Sequence, residues 1–324
     1  MFLEKEGKLI YSYDGETVCI EAWGKDALRV RATKNRSFTG RDWALEAKDA
    51  HAGEVEIFED PSAKGGAFAN MYEGTDTSYG KITNGKLHAV IDSGSVITFY
   101  HEDGRVLLKE HFRRLRDEES MPLNIMGREY SNGVGDNFRI VARFVARKGE
   151  KIFGMGQYQQ HELDLKGCML ELAQRNSQVS VPFYLSSIGY GFLWNNPGVG
   201  QVMFANNGTE WVTESGKEID YLVIAGDTPA EIEENYMTLT GKPPMMPEYG
   251  MGFWQCKLRY WNQEQLLSVA RKYKELGVPL DVIVVDFFHW TKQGEFKFDP
   301  KYWPDVPGMC RELKEMVSEY RPTS

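Results

Sequence analysis

Cysteine and histidine are scarce in this chain, and the few present stand apart. Its four cysteines (Cys19, Cys168, Cys256, Cys310) show no CxxC spacing, and its six histidines do not cluster. A disulfide scaffold is not expected at 324 residues, and a zinc centre has no ligand cluster to start from. An excess of positive charge is missing too: 38 Lys and Arg face 47 Asp and Glu, a formal net charge of -9. Neutralising phosphates takes clustered cations, so neither nucleic acid nor a membrane surface is expected as a partner, and a neutral or cationic substrate is favoured. No apolar run approaches the roughly 18 residues of a membrane helix. The start, MFLEKEGKLIYSY, turns acidic and polar by its fourth residue and lacks the two regions of a secretory leader. The expected setting is cytoplasmic, with no metal and no cofactor.

What the chain has is apolar and aromatic mass. Residues are 42% hydrophobic, and 13% are aromatic, with 16 Tyr and 8 Trp. That composition excludes wholesale disorder and suits either sugar-stacking surfaces or a β-rich core. Up to about residue 240, short runs alternate apolar with polar between turn signals. Thr17–Trp23, Ala27–Ala32 and Phe138–Phe144 read as strands, and Val96–Tyr100 with Arg105–Leu108 reads as a hairpin around Gly104. Val181–Ser187 and Gly189–Asn196 extend the series, so a β-sandwich is expected. Phe153-Gly154-Met155-Gly156-Gln157-Tyr158 reads as a tight turn presenting Gln157 and Tyr158, since no Lys-Ser/Thr follows to make a phosphate loop. One helix is predicted over Thr228–Thr240, with Pro229 at its start.

The period changes after Gly241–Pro247, a stretch with three prolines that reads as a linker between residues 1–243 and 244–324. A βαβ unit follows. Tyr249–Gln255 is read as a strand, and Asn262 caps a helix that ends at Gly277. Leu280–Val285 is an apolar strand of the kind covered on both faces, and Asp305 caps a last helix through Cys310, Leu313 and Met316. A (β/α)8 barrel takes about 250 residues. Residues 245 to 324, 80 in all, supply only its opening βα units, so an incomplete barrel is expected.

In parallel α/β folds the working groups collect at the carboxyl ends of strands. Two clusters meet that condition: Trp254 through Trp261, and Asp286-Phe287-Phe288-His289-Trp290. Asp286 follows a β-branched apolar run, where its carboxylate either accepts sugar hydroxyls beside a stacking indole or serves as a cap or ion-pair partner. Arg259 and Lys257 either anchor hydroxyls or pair with Asp286, and His289 is read as a ligand donor or a satisfied core histidine. Trp254, Trp261, Trp290 and Trp303 are core by default, with one or two available to a sugar cleft. Pairing Asp286 with Glu295 or Asp299 as a glycosidase couple is disfavoured, because the loop that carries them has no fixed path.

These segments resemble glycoside hydrolase family 31. The resemblance rests on Phe153–Gln157, Val181–Ser187 with Gly189–Gly191, Gly252–Tyr260, Gly277–Asp286 with Phe287–Trp290, and Phe298–Pro300 with Trp303–Asp305. The Trp-Gln-Cys-Lys-Leu-Arg-Tyr and Asp-Phe-Phe-His-Trp variants are similar to the α-xylosidase branch. The family implies a galactose mutarotase-like β-sandwich followed by a (β/α)8 TIM barrel. It also implies metal-free retaining hydrolysis by two Asp residues through a glycosyl-enzyme. Asp286 matches its binding Asp for the −1 sugar, Phe287 and Phe288 match positions that narrow this subsite, and Gln157 and Tyr158 match a loop edging the cleft. Trp254, Arg259 and Trp290 complete the expected contacts. The nucleophile and acid/base are expected beyond Ser324, so no catalytic residue is assigned here, and this polypeptide alone is expected to be inactive. The expected partner is an oligosaccharide or xyloside, with a homo-oligomer admitted for the full-length protein. Rival readings are an α-glucosidase of the same family, a non-catalytic carbohydrate-binding sandwich, and a mutarotase-like epimerase using His88, His101 or His161. An open sheet edge and an exposed apolar face predict poor solubility.

Overall fold

Alternation of apolar and polar side chains builds the first part of the chain. Along Leu87–Ile91, Leu87, Ala89 and Ile91 are fully buried while His88 and Val90 are half-buried, the period-2 signature of a strand. The computed structural model describes residues 1–59, 78–111, 113–115 and 123–318, and it divides into two units, Met1–Lys242 and Pro243–Ser324. The first unit holds a nine-stranded antiparallel sheet. Its path runs through Phe2–Lys5, Lys8–Tyr13, Glu16–Trp23, Ala27–Thr33, Ile219–Ala225, Tyr190–Trp194, Val179–Ser186 and Ile152–Gln157, and the ninth strand, Ala50–His51, pairs with Glu16–Trp23 off this path. Two five-stranded antiparallel sheets accompany it. One is ordered Arg128–Asn132, Phe138–Phe144, Gly208–Gly216, Gly200–Ala205 and Met169–Leu172. The other is ordered Val106–Lys109, Ile97–His101, Leu87–Ile91, Ser78–Asn84 and Glu54–Glu59. One apolar core joins all three, from Ile20 and Tyr221 through Ile140 and Trp211 to Ile97 and Phe99. This is the β-sandwich that the alternation predicts.

Strand Ile219–Ala225 is buried at every position. Tyr221 and Val223 face the main core, while Leu222 and Ile224 meet Ile232 and Leu239 of helix α1, Pro229–Thr240. Helix α1 begins as predicted: the Thr228 hydroxyl accepts the Glu231 amide at 3.2 Å, with Pro229 in the first turn. The hairpin also forms, between Ile97–His101 and Val106–Lys109, with Gly104 at φ 85°. The segment Phe153–Gln157 departs from expectation. It is strand rather than turn, paired with Val179–Ser186, and its register shifts between Gly154 and Gly156. Gly154, Met155 and Gly156 all take positive φ (112°, 69° and 90°), a bulge that buries the Met155 side chain.

The second unit pairs strands Trp254–Cys256 and Val282–Val284 in parallel. The predicted strand Tyr249–Gln255 is shorter than its apolar run, because Glu248–Met251 coils into a 3-10 turn and the Phe253 amide donates to the Asp281 carboxylate at 3.0 Å. Helix α2, Gln263–Glu275, is capped by Asn262, whose side-chain oxygen accepts the Gln265 amide at 2.9 Å. The Gln265 side chain returns to the Trp261 amide at 2.7 Å, one residue earlier than a regular capping box. At its far end Gly277 takes φ 66°. Its amide donates to Lys274, and that of Val278 to Tyr273, a complete Schellman motif. Helix α3, Val306–Ser318, starts where the Asp305 carboxylate accepts the Gly308 amide at 2.9 Å. Leu266, Leu267 and Ala270 of α2 pack with Met309 and Met316 of α3 around Trp303, and Ile283 and Val285 lean on that cluster. The Leu280–Val285 run is therefore half-buried, not fully covered: both helices serve the face of Ile283 and Val285. These are opening βα units of a barrel. No helix of the described residues is long and apolar enough to cross a membrane.

Candidate functional site

Parallel pairing brings two strand ends to one rim. Cys256 lies opposite Val284, so Asp286 emerges two residues past that rung. The Asp286 carboxylate accepts the Phe287 amide at 2.8 Å and the Cys256 thiol at 3.3 Å. The hydrogen bond to this carboxylate is the main cause that holds the Cys256 thiol above its usual range, so it stays a protonated donor. The backbone turns sharply here. Asp286 and Phe288 take φ 63° and 64°, a left-handed conformation that a bulky aromatic adopts only where its surroundings impose it. His289 closes the turn: its Nδ1 lies 2.7 Å from the Asp286 carbonyl, and its own carbonyl accepts the Asp299 amide at 2.8 Å.

Aromatic rings line the rim. Phe287 and Phe288 are exposed, their centroids 4.3 Å apart, with Trp290 at 5.9 and 6.2 Å from them. The Arg259 guanidinium lies 3.7 Å from the Trp261 ring centre and 4.5 Å from that of Phe288. Neither Arg259 nor Lys257 makes an ion pair with Asp286 among the described residues, so of the two readings the pairing is not realised, and Arg259 stacks on rings instead. Asp286, Phe287, Phe288, Trp290 and Arg259 thus form one connected group. Trp254 stands on the neighbouring strand, half exposed, its indole donating to the Gly250 carbonyl at 3.3 Å. Trp303 is core, as its default reading has it. His289 packs against both Trp290 and Phe298 and is half-buried. Glu295 accepts the Thr291 hydroxyl at 2.6 Å and Asp299 the Lys301 amide at 2.9 Å, so each serves its own loop.

Gln157 and Tyr158 belong to the first unit. Gln157 is exposed at the last rung of its strand, opposite Val179. The Tyr158 hydroxyl lies 2.7 Å from the Ser180 hydroxyl and donates to the Glu171 carbonyl at 3.1 Å, and burial pushes its pKa up. The epimerase reading names His88, His101 and His161, and none of them lines the cavities found among the described residues, although His111 and Glu210 share one of about 200 Å³. His88 stacks on Tyr100, His101 sits between Asp103 and Asp227, and His161 is exposed. Glu110 and His111 do line one cavity, but it holds only about 20 Å³. Glu110 is itself saturated by Arg128, the Ile97 amide and the Tyr221 hydroxyl. Sequence reasoning missed the Cys256 donor. The signal was available: two parallel strands whose apolar runs end in Cys256 and Asp286.

Comparison with known proteins agrees with this architecture. Residues 17–202 match the glycosyl hydrolase 31 N-terminal galactose mutarotase-like domain, and residues 243–322 match the glycosyl hydrolases family 31 TIM-barrel domain. An uncharacterized family 31 glucosidase, ORF2 of Pseudescherichia vulneris, is 41% identical over 325 residues, covering 97% of this chain and 58% of its own. Alpha-xylosidase A of Aspergillus niger is 29% identical over 319 residues, 93% of this chain and 41% of its own. The crystal structure of a family 31 alpha-xylosidase from a soil metagenome, complexed with xylose, superposes with a TM-score of 0.84. It is 44% identical and covers 98% of this chain and 46% of its own. The chain therefore spans about half the length of these relatives. A mutarotase-like sandwich joined to the opening strands of a parallel barrel, each matched in chain order, makes the chain a member of glycoside hydrolase family 31.

Proposed function

We propose that this protein serves the hydrolysis of α-xylosides and that the Asp286 rim receives the xylosyl ring. The observation that carries the reading is the Asp286 carboxylate at a parallel strand end, bordered by exposed Phe287 and Phe288. An ionised carboxylate offers several acceptor positions, enough for two vicinal hydroxyls, and aromatic faces pack on a pyranose C–H face. Bulky rings beside the carboxylate penalise the hydroxymethyl group that a hexose carries and a pentose lacks. Two relatives support this reading, one from Aspergillus niger and one from a soil metagenome, both named alpha-xylosidases. The family resemblance implies that the two catalytic carboxylates stand on later barrel strands than the two described. Asp286 is therefore assigned to binding, and the 324-residue chain by itself is proposed not to cleave.

Calorimetric titration of the chain with xylose and glucose tests this. Xylose is expected to bind at least about tenfold more tightly, within the range one small apolar group commands. Asp286→Asn should weaken xylose binding about tenfold or more, the scale of hydrogen bonds to a charge. Phe287→Ala should shrink the preference over glucose. Equal affinity for both sugars, or an indifferent Asp286→Asn, would sink the assignment. Turnover of an aryl α-xyloside, abolished by Asp286→Ala, would overturn the claim of inactivity.

A further inference from the structure

Within the first unit, the loop Arg41–Ala44 is held more firmly than an exposed loop requires. Arg29 is fully buried in mid-strand and grips Asp220 with two hydrogen bonds, Nε to Oδ1 at 3.0 Å and Nη2 to Oδ2 at 2.7 Å. The same guanidinium donates to the Asp42 carboxylate at 2.7 Å and to the Arg41 carbonyl at 2.8 Å. Asn195, also buried, donates to Asp220 at 2.9 Å and to the Asp42 carbonyl at 3.1 Å, and accepts the Ala44 amide at 3.2 Å. Leu45 then plugs into the apolar cluster under helix α1. Both flanks of Trp43 are thus pinned by a desolvated charge network, an arrangement better suited to fixing geometry than to adding stability.

Trp43 itself is strained and outward. Its φ is 54°, its side chain is 45% exposed, and it belongs to neither apolar cluster of this unit. What the conformation secures is placement. Trp43 stands between two concavities of about 580 and 660 Å³, and both linings share Trp43, Asn196 and Pro197. Each falls in the size range of small-molecule sites, about 300–1,000 Å³. One is polar, edged by Asp136 and Lys217, which pair at 2.7 Å; the other is apolar, edged by Leu172, Val181 and Tyr236. Strained backbone held by an over-determined network, presenting an aromatic face, is the mark of a functional position.

We infer that Trp43 is a stacking platform for a pyranose ring of a neutral oligosaccharide, a saccharide site on the sandwich additional to the Asp286 rim. The indole packs against the sugar's C–H face, with the Arg41 guanidinium 5.4 Å from the ring centre. Asn196 stands on the shared edge, its side chain donating to the Glu218 carbonyl at 3.1 Å and accepting the Gly198 amide at 3.4 Å, with a second amide hydrogen and a second lone pair left for a hydroxyl. Within the polar lining Lys217 pairs with Asp136 and Glu218 accepts the Thr39 amide and hydroxyl, while Arg36 and Arg41, which also line it, supply guanidinium hydrogens that suit sugar hydroxyls.

Affinity electrophoresis of the whole chain through gels containing soluble xyloglucan, a neutral xylosylated β-glucan, tests the inference. Wild type should be retarded, Trp43→Ala should lose most of the retardation (about tenfold in apparent affinity), and Trp43→Tyr should restore it in part. Asp286→Asn should remain retarded, which separates this site from the reading of the xylosyl pocket. Because the side chain is exposed and belongs to neither apolar cluster of this unit, Trp43→Ala should keep the far-ultraviolet dichroism and melting temperature of wild type. Trp43→Ala migrating as wild type, absence of retardation in wild type, or retardation lost only in Asp286→Asn would each overturn the proposal.

Discussion

Arg128 shows how much a single side chain carries in this sandwich. It lies buried between Glu16 and Glu110 and also reaches the Ser95 hydroxyl and carbonyl. Arg128→Ala would leave two carboxylates desolvated without a counter-charge, so a loss of about 3–5 kcal/mol is expected in chemical denaturation. Glu16 illustrates the sign of the acid response. Burial opposes its ionisation, but the Arg128 guanidinium outweighs burial and holds the carboxyl below its usual range. A depressed carboxylate stabilises the fold above the unfolded value, roughly 4.3, and that contribution disappears as pH falls through the depressed value. Glu16→Gln should therefore flatten the fall in melting temperature below about pH 4 relative to wild type. At the rim, Phe288→Ala removes one of the two faces that hold Arg259. Weakened xylose binding is expected, and Phe288→Tyr, which keeps the face, should preserve it.

Among the elements, glycines report which turns are strict. A Cβ on Gly156, at φ 90°, would collide with the Val179 carbonyl oxygen and lie 2.8 Å from the Val181 amide. Gly156→Ala is expected to cost the sandwich more than about 3 kcal/mol, strain and clash together. Gly277 has φ 66° but open space around it, so Gly277→Ala should cost only about 1–2 kcal/mol, the left-handed penalty alone. Equal melting temperatures for the two variants would refute this ranking. These elements also show where sequence reading stops. The caps of α2 and α3 at Asn262 and Asp305 were legible because capping depends on a residue and its next three neighbours, whereas Thr228, read as part of α1, proves to be its cap. The Gly154–Gly156 bulge was read as a turn because glycine spacing signals backbone permissiveness without saying what pairs alongside. The strand Trp254–Cys256 came out shorter than its apolar run, since hydrophobicity alone does not separate strand from 3-10 turn.

For the whole molecule, the second unit displays an unusual load of exposed apolar side chains, among them Met245, Met251, Leu258, Trp261, Phe288 and Phe296. Such a surface in a monomer invites association. Light scattering of the isolated chain should rise with concentration and with temperature below the unfolding transition. A monomeric chain that unfolds reversibly would contradict this.

Fold class and the change of architecture at the proline-rich stretch were written in local pattern: period-2 alternation before it, then helix caps and an apolar strand after it. Asp286 was likewise visible from its place after Val282–Val285. Tertiary structure alone decided which partners reach it. Cys256 arrives by parallel register, and Arg259 turns to the rings instead of the carboxylate. It alone decided Trp43 as well, because the network behind that loop joins Arg29 to Asp220 across 191 positions of sequence. Periodicity records which face of an element is buried; it carries no record of which distant side chain the burial brings within reach.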